Sequence, residues 1–484
     1  MRHPHDIDLP LVLDRGSSVS LVVQVADGLR RAIETGVLRP GDAVPSTRTL
    51  ASRLGVSRGS VVAAFDQLHG EGWLVADEGG TRVDPRVDPL ALSAAGQTVR
   101  RRAAQEVLSP PPAVQPIDLS PGQPDVSLVV DAAWRSAWRE AATRPGTRYD
   151  PAGSAPLRSA LADHVRVARG TTVTDEEVVV TAGVREGLQL VLLAVAQDRG
   201  RSLTVAVEDP GYPAMRRVIR ALGHRMVAVP VDEDGLRVDL VPDDVDLALV
   251  TPGHQYPLGG AMPVARRLEL LAWARERAVL VVEDDYDGEL RFTGEPVPAL
   301  AALDRRHDRR VVVTLGSFAK VLAPGIGVGH AIVPKPLRDT VIRLRSDLGC
   351  PVPATVQDAM THYLASGALR RHTGRMRRRY RARRDEAVAA LADLPGVRVR
   401  PMDGGLHVVV ELVDLDASAE RDVVARAREA GVIVAGMTDY WAEAGARQDT
   451  AADLPRHGLV IGLGSPDLAE GTARLRTALP TPSP

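Results

Sequence analysis

Five short apolar runs recur between residues 178 and 313, and each ends in side chains suited to holding a ligand. The runs are Val178–Val180, Leu203–Val207, Leu247–Val250, Val279–Val282 and Val311–Val313. None alternates polar with apolar positions, so each predicts a strand covered on both faces, as in a parallel sheet flanked by helices. Glu186–Ala196, Met215–Leu222 and Ala265–Arg277 predict covering helices. The segments that follow the runs are Thr181-Ala-Gly-Val-Arg185, Glu208-Asp-Pro-Gly-Tyr212, Thr251-Pro-Gly-His-Gln-Tyr256, Glu283-Asp-Asp-Tyr286 and Leu315-Gly-Ser317. Ligands of open parallel sheets bind at the carboxyl ends of the strands. Five ends that supply glycines, hydroxyls, carboxylates and phenols therefore predict one site in an α/β domain.

The chain has 60 basic residues, of which only Lys320 and Lys335 are lysines. A lysine kept against such a bias towards arginine points to a need for a primary amine, because a guanidinium cannot form a Schiff base with an aldehyde. Lys320 closes Thr314-Leu-Gly-Ser-Phe-Ala-Lys320, just after an apolar run; Lys335, in Val333-Pro-Lys-Pro, reads as a solvated loop residue. Asp284 and Tyr286 share a face of an extended segment, and Asp285 points the other way. A carboxylate and a phenol on one side suit a pyridine ring: the first keeps the ring nitrogen protonated and the second donates to the ring hydroxyl. Pyridoxal 5'-phosphate combines that ring with an aldehyde. Gly183 and the N–H groups of Val184 and Arg185 open a helix, a ready anion site, and Ser317 offers a hydroxyl to the same phosphate. Tyr212, held after Pro210-Gly211, suits stacking on a cofactor or a place as a core aromatic.

Residues 46–70 divide into two helices. Ser46 caps one that runs to Leu54, Gly55-Val56-Ser57 turns the chain, and Ser57 caps a second from Arg58. Val61, Phe65 and Leu68 fall on one stripe and face the core, leaving Arg58, Gly59, Ser60, Ala63 and Gln67 outside. Helix, short turn and helix is the pattern whose second helix enters the DNA major groove. Trp73–Val75 and Thr81–Val83, joined through Gly79-Gly80, predict a hairpin wing.

A length of 484 residues supports several domains. Residues 84–116, ending in Pro110-Pro-Pro112, read as a semi-rigid linker with a short helix near Thr98–Val107. The expected division is a DNA-binding domain at 1–83, the linker at 84–116, and a large domain at 117–484 with a C-terminal α+β subdomain. A net charge of −2 confines any DNA contact to a local patch. Cys350 alone makes no intrachain disulfide, and Met1–Pro10 has no signal-like apolar core. No apolar stretch reaches bilayer length. A cytoplasmic location, with no membrane contact and no metal, is the expectation.

Tyr149-Asp-Pro-Ala-Gly153, Asp209-Pro-Gly-Tyr212, Thr251-Pro-Gly-His-Gln-Tyr-Pro257, Glu283-Asp-Asp-Tyr-Asp287, Ser317-Phe-Ala-Lys320 and Gly404-Gly-Leu-His407 resemble the aminotransferase-like half of MocR-type regulators. In these proteins a GntR-type winged helix is fused to a fold-type-I pyridoxal-phosphate domain. Gly36-Val-Leu-Arg-Pro-Gly41, Pro45-Ser-Thr-Arg48 and Leu54-Gly-Val-Ser-Arg58 resemble the winged helix. The resemblance covers roughly residues 17–84 and 117–475. It implies that Arg48 and Arg58 contact phosphate or guanine, near Ser46, Ser57, Ser60 and the wing residues Gly80 and Arg82. It further implies a head-to-tail homodimer in which Tyr149 serves the neighbouring site. The arginine-dense helix Leu369–Arg384 is usual in the family, and its acidic neighbours favour a structural role over a second DNA surface.

The chain departs from the family pattern at two positions. An arginine seven residues beyond the lysine normally clamps the cofactor phosphate; here Gly327 stands there, and Arg185 is the candidate substitute. True aminotransferases carry a C-terminal arginine that grips the substrate carboxylate; the matching position is Val460, which cannot. The expectation is a non-enzymatic transcriptional regulator that senses pyridoxal phosphate, or an amine or amino-acid adduct of it. Its alternatives are an aminotransferase with an accessory domain and a cofactor-free repressor whose large domain only dimerises.

Overall fold

The computed structural model describes residues 9, 11–17, 19–77, 80–87, 116–143, 146, 150–292, 298–305, 309–400, 402–413, 415–442, 454 and 456–479. The chain divides into two units, Met1–Pro111 and Pro112–Pro484. Most of the linker segment, including its expected short helix, lies outside the described residues, as do Gly79 and Tyr149.

Among the described residues of the first unit, three helices and a hairpin enclose one core. Helix α1 (Leu21–Glu34) buries Val25, Ala26, Leu29, Ala32 and Ile33 along a single stripe. No sequence pattern marks a helix there, yet α1 packs on α3 and supplies a third of this core. A fully buried aliphatic side chain of this kind contributes about 1.5–3 kcal/mol. Helices α2 (Thr47–Leu54) and α3 (Arg58–Gly70) start where expected. Ser46 Oγ accepts the Thr49 N–H and Ser57 Oγ accepts the Ser60 N–H. Gly55, at φ 63°, turns the chain between them in a conformation that favours glycine. Val61, Phe65 and Leu68 are buried, while Arg58, Gly59, Ala63 and Gln67 are exposed. Strands β1 (Leu74–Asp77) and β2 (Gly80–Val83) pair antiparallel as the wing.

The second unit is α/β. After β3 (Ile117–Asp118) come α4 (Ala132–Ala142) and α5 (Ala155–Arg169). The main sheet and its helices then alternate: β4 (Val178–Thr181), α6 (Val184–Arg199), β5 (Thr204–Asp209), α7 (Pro213–Ala221), β6 (Arg225–Asp232), β7 (Gly235–Leu236), β8 (Leu247–Val250), α8 (Val264–Arg277), β9 (Leu280–Asp285), α9 (Leu300–Asp304), β10 (Val312–Ser317) and β11 (Gly329–Ile332). The strand order is β4-β11-β10-β9-β8-β5-β6-β7. Neighbours from β10 to β6 run parallel, whereas β11 is antiparallel to both β10 and β4. Successive residues of one strand enter different cores: Val205 and Val207 pack under α6 and α7, while Ala206 packs under α8. That two-sided burial is why these strands read as unbroken apolar runs.

Strand β11 is not foreseen from the sequence, because Gly329-His330 begins it and no valine run marks it. Glycine is required there: a Cβ on Gly329 would lie 2.5 Å from the Gly316 carbonyl oxygen and 2.8 Å from the Gly183 Cα. Lys335 is exposed, but it is the first residue of α10 (Lys335–Leu348) rather than a loop residue. Proline at the second position, following Pro334 at the cap, allows the helix to begin so early.

Helices α11 (Ala354–Ala365) and α12 (Ala368–Leu391) lead to the C-terminal α+β part. It comprises β12 (Val397–Val399), β13 (His407–Leu412), α13 (Ala417–Glu429), β14 (Val432–Ile433), β15 (Ala435–Gly436), β16 (Gly458–Gly462) and α14 (Leu468–Ala478). Its antiparallel sheet has the order β12-β13-β16-β15. Among the described residues no helix is long and apolar enough to cross a membrane.

Candidate functional site

The carboxyl ends of β4, β9 and β10 open into a chamber of about 160 Å3. Gly183, Val184, Arg185, Tyr212, Tyr286, Ser317 and Lys320 all line it. Lys320 Nζ donates to the Gly122 carbonyl at 2.7 Å. Burial holds its pKa below the ordinary lysine value, against the attraction of Asp284 and Asp287. An amine less firmly protonated than usual is the reactive form towards a carbonyl.

Asp284, the penultimate residue of β9, stands in register with Leu315 of β10 and is 3% exposed. Its pKa is pushed up to about 8, first by burial and then by the like charges of Asp285 and Asp287, against Lys320. Its Oδ1 has no hydrogen-bond partner among the described residues. Asp285 leaves on the opposite face, where Arg169 of α5 meets it at 2.6 Å. The extended geometry thus sends the two carboxylates apart, as period two requires. A buried carboxylate oxygen without a donor is costly, and a protonated ring nitrogen is the kind of donor that would relieve it. On that observation the residues fit pyridoxal phosphate.

At the other end of the chamber, Gly183 (φ 96°) precedes α6, whose first N–H groups meet no capping side chain. A Cβ placed on Gly183 would lie 3.6 Å from Ser317 Oγ, so hydroxyl and helix start are neighbours. Arg185 lines the same chamber and has no acidic partner among the described residues. Gly327 also lines it, in the left-handed region at φ 61°. A Cβ there would meet nothing within 4 Å, so this wall offers neither guanidinium nor obstruction.

Tyr212 caps α7 and meets Tyr256 edge-on at 5.3 Å and 74°. Tyr286 approaches Tyr256 at the same distance from another side. Val460 is fully buried in this cluster, in register with Val409 and Ala435, beside Tyr440 and Met437. Val460 thus brings an aliphatic side chain, not a cation, to this aromatic cluster.

Two histidines, neither with a role legible in the sequence, complete the chamber's surroundings. His254 Nδ1 meets Asp287 Oδ2 at 2.8 Å and the Tyr286 hydroxyl at 2.9 Å. His407 Nε2 contacts the Pro257 carbonyl at 2.9 Å, and burial with neighbouring His254 lowers its pKa to about 4. The signal was present in Thr251-Pro-Gly-His-Gln-Tyr256, but which ring meets the phenol depends on packing between segments far apart in the chain. Equally hidden was Arg345, fully buried, whose ion pair with Glu186 at 2.7 Å anchors the first turn of α6.

In the N-terminal unit Arg48 and Arg58 stand exposed in the first turns of α2 and α3, with no acidic partner among the described residues. Ser46 and Ser57 spend their hydroxyls on the caps, and Ser60 Oγ bonds Ser57 Oγ at 2.8 Å. Gly80, at φ 119°, opens β2, and Arg82 pairs with Val75 across the wing.

A winged-helix unit joined in one chain to a lysine-bearing aminotransferase-type fold defines a class of DNA-binding proteins built on an enzyme scaffold. Residues 21–83 match the bacterial regulatory proteins of the gntR family, and residues 114–445 match aminotransferase class I and II. The chain is 42% identical to the HTH-type pyridoxine biosynthesis transcriptional regulator PdxR of Corynebacterium glutamicum, over 95% of each protein. It is 30% identical to the probable rhizopine catabolism regulatory protein MocR of Rhizobium meliloti, over 97% of this chain and 95% of that one. Among solved structures it resembles the α-aminoadipate aminotransferase LysN of Thermus thermophilus, complexed with N-(5'-phosphopyridoxyl)-L-leucine. There the identity is 27% and the TM-score 0.65, over 75% of this chain and 92% of that one. The chain belongs to the MocR-type transcriptional regulators of the GntR family, each a helix-turn-helix domain fused to an aminotransferase-like domain.

Proposed function

We propose that this regulator binds promoter DNA through α3 and the wing and senses pyridoxal phosphate, or an amine or amino-acid adduct of it, at Lys320. The observation that carries the reading is the buried Asp284 oxygen without a donor among the described residues. Asp284 is not among the chamber's lining residues but acts electrostatically on Lys320, an amine of depressed pKa that does line it. The cofactor, when bound, supplies an aldehyde for a primary amine and a ring nitrogen that holds a proton. Lys320 provides that amine. Asp284 accepts from the ring nitrogen, Tyr286 orients the ring hydroxyl, and Tyr212 borders the ring face. The N–H groups of Val184 and Arg185 after Gly183, the Ser317 hydroxyl and the Arg185 guanidinium receive the phosphate, with Arg185 standing in for the arginine absent at Gly327.

Val460 and its aromatic neighbours argue against steady transamination of free amino acids, which needs a carboxylate clamp. Pyridoxal phosphate itself is accordingly favoured as effector, and control of vitamin B6 or amino-acid metabolism is the expected role. That choice also accords with the name of the Corynebacterium relative. We assign 1–83 to DNA binding, 84–116 to the linker and 117–484 to effector binding and dimerisation. Ser46, Arg48, Ser57, Arg58, Ser60, Gly80 and Arg82 form the DNA surface. The proposed assembly is a head-to-tail homodimer, acting in the cytoplasm, in which Tyr149 would serve the neighbouring site. The test is the absorbance of the purified chain titrated with pyridoxal phosphate. A borohydride-trappable chromophore should form and be lost in Lys320→Ala; a chain that takes up no chromophore overturns the proposal.

A further inference from the structure

A cavity of about 630 Å3 opens between α5, α11 and the first turns of α12. Small-molecule sites usually measure about 300–1,000 Å3, so it is large enough for a ligand. Its wall is divided by chemistry. Val167, Leu364 and Leu369 supply apolar surface, and α12 supplies Arg370 and Arg377. Arg370 has no acidic partner among the described residues. Arg377 spends only its Nε, which donates to the Glu289 carbonyl at 3.2 Å. The His164–Glu289 pair, 2.8 Å apart, also lines the cavity, as does Asp163, whose carboxylate is met by Arg166 at 2.7 Å. None of these groups has a part in the Lys320 chamber.

A void of about 20 Å3 borders both regions: it shares His164, Gly288 and Glu289 with the large cavity, and Tyr286 and Ser317 with the chamber. It has room for a single water. Arg169 and His330 line it, and Arg169 Nη2 and His330 Nδ1 lack partners among the described residues, so such a water would find polar contacts.

We infer that the large cavity is a second ligand site, which takes a small amphipathic anion: an acidic group against Arg370 and Arg377, an apolar body against Val167, Leu364 and Leu369. Guanidinium pairs favour carboxylate or phosphate, and the apolar wall rewards a hydrocarbon or aromatic tail. This site stands without the Lys320 reading, since none of its anion-binding groups belongs to that chamber.

The test is calorimetric titration of the full-length chain with 4-phenylbutyrate, using 4-phenylbutylamine as the charge-reversed control. Saturable binding of the acid, without binding of the amine, is expected. Arg370→Glu, at an exposed position where folding is not at stake, should weaken the acid at least tenfold. The Arg370→Ala/Arg377→Ala pair should do the same while retaining the parent circular dichroism. Lys320→Ala/Ser317→Ala should leave binding within twofold. Absence of saturable binding, affinity that survives Arg370→Glu, or affinity lost with Lys320 and Ser317 overturns the inference. That last result would assign the probe to the chamber, and so separates this inference from the proposed function.

Discussion

The arginines of α12 and those of the winged helix carry the same charge in opposite circumstances. Residues 370–384 include nine arginines, a density that suggests a nucleic-acid surface. Several are committed within the fold. Arg375 meets Asp131 at 3.0 Å, Arg379 and Arg383 converge on the buried Asp125 at 2.6 and 3.1 Å, and Arg383 also donates to the Leu463 and Gly464 carbonyls. Arg48 and Arg58 are few but uncommitted, exposed at helix starts. Charge density alone is thus a poor guide to a DNA surface, since part of it on α12 is spent on Asp125 and Asp131 while Arg370 keeps no carboxylate among the described residues.

Asp284 carries the contrast furthest, being a buried carboxyl group with no committed partner at one oxygen. Its folded pKa of about 8 lies above the 3.8 of an ordinary aspartate, a difference worth roughly 6 kcal/mol. Because the folded state holds the extra proton, stability is lost as pH rises from 3.8 through 8. Asp284→Asn should therefore be more stable than the parent at about pH 8.5, with the gap shrinking towards about pH 5, as read from urea midpoints of the cofactor-free chain. A gap independent of pH would show that the carboxylate is paired after all.

Arg383→Ala should cost about 3–5 kcal/mol of stability, since it leaves Asp125 buried with one cation fewer. Operator affinity per folded molecule should stay unchanged. Arg58→Ala and Arg48→Ala should reverse that pattern, each losing about 1–3 kcal/mol of operator binding with melting temperature held. Reduced salt dependence would mark the phosphate contacts. If Arg383→Ala weakened DNA binding as much as Arg58→Ala, the division between committed and free arginines would fail. The smallest effect expected is in Ser57→Ala, about 1 kcal/mol of stability from a lost cap at α3; no change in the thermal transition would mean that water replaces the cap.

The sequence exposed whatever rests on local rules. Strands buried on both faces show as valine runs, caps show as Ser46 and Ser57, and the two-residue period separates Asp284 from Asp285. Strand β11 stayed hidden because its place between β4 and β10 is dictated by close backbone approach at Gly329, not by apolar pattern. Helix α1 escaped because valines and Gly28 obscure helical preference, and its stripe is decided by packing on α3. His254, His407 and Arg345 acquire their partners only through long-range contacts, so motif spacing could place them near the site but not say what they touch.

The central claim is that aldehyde capture at Lys320 alters how the winged helix grips DNA. The direct measurement is operator affinity of the full-length chain with and without saturating pyridoxal phosphate, repeated with Lys320→Ala. The account predicts an affinity shift of at least about fivefold in the parent, the lower end of ordinary allosteric coupling, and none in the variant. Equal affinity in both states of the parent, or a shift that persists without the lysine, would contradict it.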